Sequence, residues 1–157
     1  MGLPSGRRMT ASIVGIVRSM STTKYAAELK VAIEAVREAA VLCTAVQARL
    51  SPDVELRKQD KSPVTVADFG SQALICRRLQ EAFPDDQVIG EESADVLREA
   101  ENTGLLAQVV DEVRGVLGDV DAEAVCAWID RGAAREPAPR TWTLDPIDGT
   151  KGFLRGA

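Results

Sequence analysis

The run Thr143-Leu144-Asp145-Pro146-Ile147-Asp148-Gly149-Thr150 restricts the fold more than any other part of this 157-residue chain. Thr141 to Leu144 reads as a strand that feeds straight into Asp145. Pro146 fixes one backbone torsion and stiffens the turn, so Asp148 comes round three residues later. Two carboxylates held this close repel unless a proton or a cation sits between them. A divalent cation fits, and the carbonyl of Ile147 can supply a further hard oxygen ligand. Gly149 lets backbone approach a ligand closely. A helix beginning at Thr150 would aim its free N–H groups at the same spot and favour an anion. A metal beside an anion-binding helix end is the layout of a phosphate site. A bare Asx-type turn without ligand is the competing reading.

The chain has no histidine. That removes His-based acid–base work, Ser-His triads and the usual zinc sites. Any metal must then be held by oxygen, which points to a hard cation such as Mg²⁺. The net charge of −5 speaks against a nucleic-acid-binding stripe, and no window approaches the apolar run needed to span a bilayer. Cys43, Cys76 and Cys126 lack ligand spacing and read as small buried apolar residues of a reducing compartment.

Charge is unevenly spread. Residues 1–27 hold no acid and four of the 19 basic residues (Arg7, Arg8, Arg18 and Lys24), so the rest sets 15 basic against 24 acidic residues. On a helix, Met9, Ile13, Ile16, Val17 and Met20 would share one face. This is the composition of an organelle transit peptide, with a disordered extension or a true start at Met20 as alternatives. Residues 1–23 are therefore set apart, with a chloroplast or mitochondrial address if they are a transit peptide and a cytoplasmic one otherwise.

From Tyr25 to Leu50 the pattern is helical, with Leu29, Ile33, Val36, Ala40, Cys43 and Leu50, and Gln47 in the remaining slot, expected to face the core. Pro63 should break any helix, Val64 to Val66 should be extended, and a second helix should then run to about Phe83, with Ala73, Cys76, Leu79 and Phe83 as its apolar edge. Asp68 falls near its first turn, where an acid is often a cap. Val88-Ile89 reads as a short strand ending at Gly90, with Glu91 and Glu92 at its mouth, a place where α/β proteins put ligands. Residues 93–131 read as helices and loops, and Arg131 to Arg140 as a loop.

Three motifs in order, Ser62-Pro63-Val64-Thr65-Val66-Ala67-Asp68, Val88-Ile89-Gly90-Glu91-Glu92-Ser93 and Trp142 to Phe153, resemble the lithium-sensitive, Mg²⁺-dependent phosphatases of the inositol monophosphatase superfamily. The stretch Asp148 to Gly156 looks like the 3′(2′),5′-bisphosphate nucleotidases within it, because inositol monophosphatases carry Thr-Asn where this chain has Lys151-Gly152. The final run is also similar to the Asp-x-Asp-Gly-Thr strand end of aspartyl-nucleophile phosphatases, but three-residue spacing breaks that nucleophile-plus-acid arrangement. An EF-hand is excluded, since its alternating ligands and distal glutamate are absent.

The resemblance covers residues 24–157 and implies an α/β fold, the N-terminal half of an αβαβα sugar-phosphatase-type sandwich with helices packed on a mixed sheet. It implies Glu91, Asp145 and Asp148 as Mg²⁺ ligands, with the Ile147 carbonyl. Asp68 and Thr150 would orient and deprotonate the attacking water, and Gly149 and Thr150 would hold the scissile phosphate. Glu92 is the weaker candidate of its pair. The implied substrate is adenosine 3′,5′-bisphosphate, with its sulfated form as a relative, and the implied full-length state is a monomer without nucleic-acid or membrane partners. Family members run to about twice this length and complete the metal site with a later Trp-Asp motif. Neither Trp128 nor Trp142 stands in that motif. The expectation is therefore a truncated chain that is inactive alone, with an exposed sheet edge and apolar surface. The alternatives are a non-catalytic product, or an inositol phosphate phosphatase of the same superfamily.

Overall fold

The computed structural model describes residues 24–49, 63–136, 138–148 and 153. The motif positions Gly149 and Thr150, Lys151 with Arg155, and the whole of residues 1–23 lie outside this set. Two long helices come first, α1 (Ala26–Ala48) and α2 (Pro63–Ala82). Strand β1 (Gln87–Ile89) follows, then α3 (Asp95–Arg98), a 3₁₀ turn (Ala100–Asn102), α4 (Thr103–Leu117), α5 (Ala122–Asp130) and strand β2 (Thr141–Thr143). Gly118, with φ of 84°, ends α4 in a conformation that side chains avoid. Asp121 starts α5 by accepting a hydrogen bond from the Ala124 amide at 2.8 Å. No helix among the described residues is long and apolar enough to cross a membrane.

Pro63 does not break a helix; it opens α2. At the first helical position the missing N–H costs nothing and the fixed torsion already suits the helix. Thr65 and Val66 are thereby helical rather than extended. Asp68 becomes the sixth residue of α2, beyond the reach of a cap, and the first turn carries no acid.

The buried face of α1 also differs from the one expected. Ala35, Ala39, Leu42 and Val46 face inward, whereas Leu29, Ile33, Val36 and Ala40 are exposed and Cys43 and Gln47 are half-buried. Close approach decides the matter. A side-chain carbon added to Gly70 of α2 would sit 2.6 Å from Cδ1 of Leu42. Glycine at position 70 makes room for Leu42, and the same inward stripe carries Ala35, Ala39 and Val46.

Leu42, Phe69, Leu74, Val109, Val113, Val125 and Ile129 build the main core between α1, α2, α4 and α5. A second cluster, Cys76, Leu79 and Val88, lies under the strands with Trp142 and Leu144 packed against it. Trp142 and Phe83 stack with ring centroids 5.8 Å apart, and the indole N–H donates to Asp86 at 2.8 Å. Cys76 and Cys126 are buried and Cys43 is half-buried, and all three are free thiols.

The strands pair in parallel, Gln87 with Thr141, Val88 with Trp142 and Ile89 with Thr143. Ile89 also makes an isolated antiparallel bridge to Ala133 on the other side of β1, while the sheet of the described residues is two-stranded and parallel. The parallel pairing makes both chains leave the sheet at the same edge.

Candidate metal–phosphate site

Glu91 and Asp145 each lie two residues beyond the last pair of the ladder, Ile89 and Thr143. Their shared edge is therefore a product of register. The Leu144 amide donates to the Ile89 carbonyl at 2.9 Å and continues the pairing almost to Asp145. Gly90 donates to the Gly132 carbonyl at 2.8 Å, which turns the Glu91-Glu92 segment off the end of β1. Helix α2 brings Asp68 to the same edge from the side.

Charge shows which of these groups are near one another. Burial and then the carboxylates of Glu92, Glu91 and Asp145 push the Asp68 carboxyl up to about 7. Among the described residues, the charges that act on it are all carboxylates. Glu92 is half-buried and is likewise raised, by burial and then by Glu91. Glu91 and Asp145 are exposed, as is Asp148, which sits in the turn after β2. Ile147 packs its side chain against the main core and so anchors that turn.

The structure thus brings Asp68, Glu91 and Asp145 to one edge and adds Glu92, which the sequence had ranked behind Glu91. Hard oxygen donors with uncompensated charge suit a divalent cation. Among the described residues, however, no three acidic, cysteine or histidine side chains close into a set able to grip one. The donor chemistry fits a hard cation.

Gln72 joins the site from the structure alone. It is fully buried in α2, one turn past Asp68 on the same face. Its Nε2 donates to the carbonyls of Glu92 (2.8 Å) and Ile129 (3.0 Å), and its Oε1 accepts from the Glu92 amide at 3.0 Å. A lone glutamine on a helix is ordinarily a surface residue, so its type carries no signal of this role.

Residues 24–157 match the inositol monophosphatase family. Among curated proteins, the chain is 43% identical over 148 residues to a 3′(2′),5′-bisphosphate nucleotidase of Schizosaccharomyces pombe, covering 85% of this chain and 41% of the relative. It is 40% identical over 153 residues to a 3′(2′),5′-bisphosphate nucleotidase 2 of Candida albicans, covering 88% and 42%. An Arabidopsis thaliana protein that carries the bisphosphate nucleotidase name and a mitochondrial label is 43% identical over 146 residues, covering 85% and 36%. The chain spans about two fifths of the length of these relatives.

Proposed function

The chain belongs to the inositol monophosphatase family, and from that premise we propose that its acid edge is part of the reaction centre of a phosphomonoester hydrolase. The substrate is adenosine 3′,5′-bisphosphate, cleaved at the 3′ (or 2′) phosphate to give AMP and phosphate, with the sulfated form as a second substrate. The observation that carries this reading is the parallel register that sets Glu91 and Asp145 beside Asp68 at one edge. The names of the relatives at 40–43% identity favour the nucleotide over an inositol phosphate.

The family is generally metal-dependent, and the all-oxygen donors favour Mg²⁺. Glu91, Asp145, Asp148 and the Ile147 carbonyl would hold it, and when bound it acidifies water and polarises the phosphoryl group. Asp68, with its carboxyl near 7, is matched to taking a proton from water at neutral pH. Thr150 shares that task, and the backbone N–H groups of Gly149 and Thr150 orient the phosphate. Water attacks phosphorus directly. The ribose oxygen leaves with a proton, and no covalent phosphoryl-enzyme forms.

A chimaera tests this without presuming anything about the rest of the protein. Residues 24–157 replace the matching segment of the S. pombe relative. The expected result is Mg²⁺-dependent phosphate release from adenosine 3′,5′-bisphosphate, reduced at least about 100-fold by Asp145→Asn. The 157-residue chain alone should show no measurable release. A chimaera that cleaved inositol monophosphate and ignored the nucleotide would overturn the substrate assignment.

Residues 1–23 we assign to organelle targeting, which the mitochondrial label of one relative favours. A reporter fused to residues 1–24 should enter an organelle, and a cytosolic reporter would remove the assignment.

A further inference from the structure

Gln72 is surrounded by two glycines whose presence calls for an explanation. A carbon added to Gly90 would lie 2.5 Å from Oε1 of Gln72, and one added to Gly132 would lie 2.6 Å from Nε2. Neither glycine has a positive φ, so torsion alone does not demand glycine at either position. At Gly90 only the carboxamide excludes alanine; at Gly132 the carboxamide does so together with the Ile129 carbonyl, 3.1 Å from the added carbon. The amide thus fills a slot between the Glu91-Glu92 turn and the C-terminal end of α5, and its three hydrogen bonds use both N–H groups and the oxygen. Two of the three run to one residue, Glu92, through its N–H and its C=O. This is the pairing a neighbouring strand would make, supplied here by a side chain.

We infer that Gln72 is a positioning residue: its carboxamide clamps the Glu91-Glu92 turn to α2 and so sets the placement of that acid pair relative to Asp68, one turn away. The part played by this placement in hydrolysis rests on the function proposed above; the clamp itself does not. Neutrality matters as well as shape. A glutamate of the same length would keep the bond from the Glu92 amide but would set a fourth carboxylate among Asp68, Glu91 and Glu92 and face two carbonyl oxygens without N–H groups to offer. The two glycines are the sequence-level cost of the device.

The test reads hydrogen exchange at the Glu92 amide in the 157-residue chain, with the Val113 amide in the core of α4 as the reference. Gln72→Leu should speed Glu92 exchange about tenfold or more and leave Val113 within about twofold. Gly90→Ala should do the same by displacing the amide without removing it. In a Gln72→Ala background, adding Gly90→Ala should have little further effect, because the group it displaces is gone. Unchanged Glu92 exchange in both single variants, or fully additive effects in the double variant, would overturn the clamp. The positioning role is read in the chimaera, where Gln72→Leu and Gly90→Ala should lower kcat about tenfold with KM little changed. Faster Glu92 exchange with unaltered kcat would reduce Gln72 to packing. A chimaera inert toward the nucleotide before any substitution would count against the proposed function, and the exchange data would still decide the clamp.

Discussion

Asp68→Asn should stabilise the chain and disable it at once. In metal-free solution at pH 8 the variant should melt a few degrees above the parent, and at pH 4 the two should melt together. Burial and the three neighbouring acids raise the Asp68 carboxyl to about 7 in the folded state, whereas an unfolded chain releases that proton near 4. Between those values the folded state holds the extra proton, so stability falls as pH rises through the window. Below about pH 4 the carboxyl is neutral in both states and the effect vanishes. Above about pH 7 the folded chain carries the full penalty. Asp68 is half-exposed, so solvent screening trims that penalty to about 1–2 kcal/mol. The amide never ionises and avoids it. Calorimetric melting at the two pH values checks the sign, and a variant that melted lower at pH 8 would mean that the acids around Asp68 are not crowded. In the chimaera the same change should lower turnover by about 10²–10⁴, the usual worth of a positioned acid–base group.

Phe69→Ala, one position along, should have the opposite character. Phe69 is 1% exposed and heads the fully buried side chains by volume. Truncating such a ring costs about 3–5 kcal/mol, a large share of the about 5–15 kcal/mol that holds an ordinary domain together. The urea midpoint should collapse, while Phe69→Leu, which keeps much of the volume, should cost under about 2 kcal/mol. An unmoved midpoint for Phe69→Ala would mean that α2 presents a different face to the core. The contrast between adjacent positions reflects how α2 is used. One side of the helix closes the core and the next carries the charge.

The chemistry of the site was legible in the sequence because it is written in short local runs. Strand, aspartate, proline and glycine at 141–149, and strand, glycine and two glutamates at 87–92, declare themselves without tertiary knowledge. Their alignment was not legible. Nothing local in either run says that β1 and β2 pair in parallel, and that pairing is what makes neighbours of Glu91 and Asp145. The inward face of α1 is not legible for a related reason. Three-and-four spacing picks out the stripe of Leu29, Ile33, Val36 and Ala40, whereas the stripe that packs inward holds Ala35, Ala39, Leu42 and Val46. Pro63 can break a helix or open one, and here it serves as the first residue, which sets Asp68 beyond capping range. Gln72 was invisible because its partners are backbone groups of Glu92 and Ile129, and backbone leaves no trace in composition.

The two-residue step from Ile89 to Glu91, and its twin from Thr143 to Asp145, divides the chain into stretches with very different tolerance for a change in length. A single residue inserted in either step would turn its acid to the opposite side of the extended backbone, whatever the inserted residue was. The segment between the steps is under no such rule. It crosses an exposed turn at Gly118, where the chain can lengthen without touching core or sheet. Insertions and deletions among related sequences should therefore gather near Gly118 and be missing from both steps, so the spacing of the acids would outlast the identity of most residues between them.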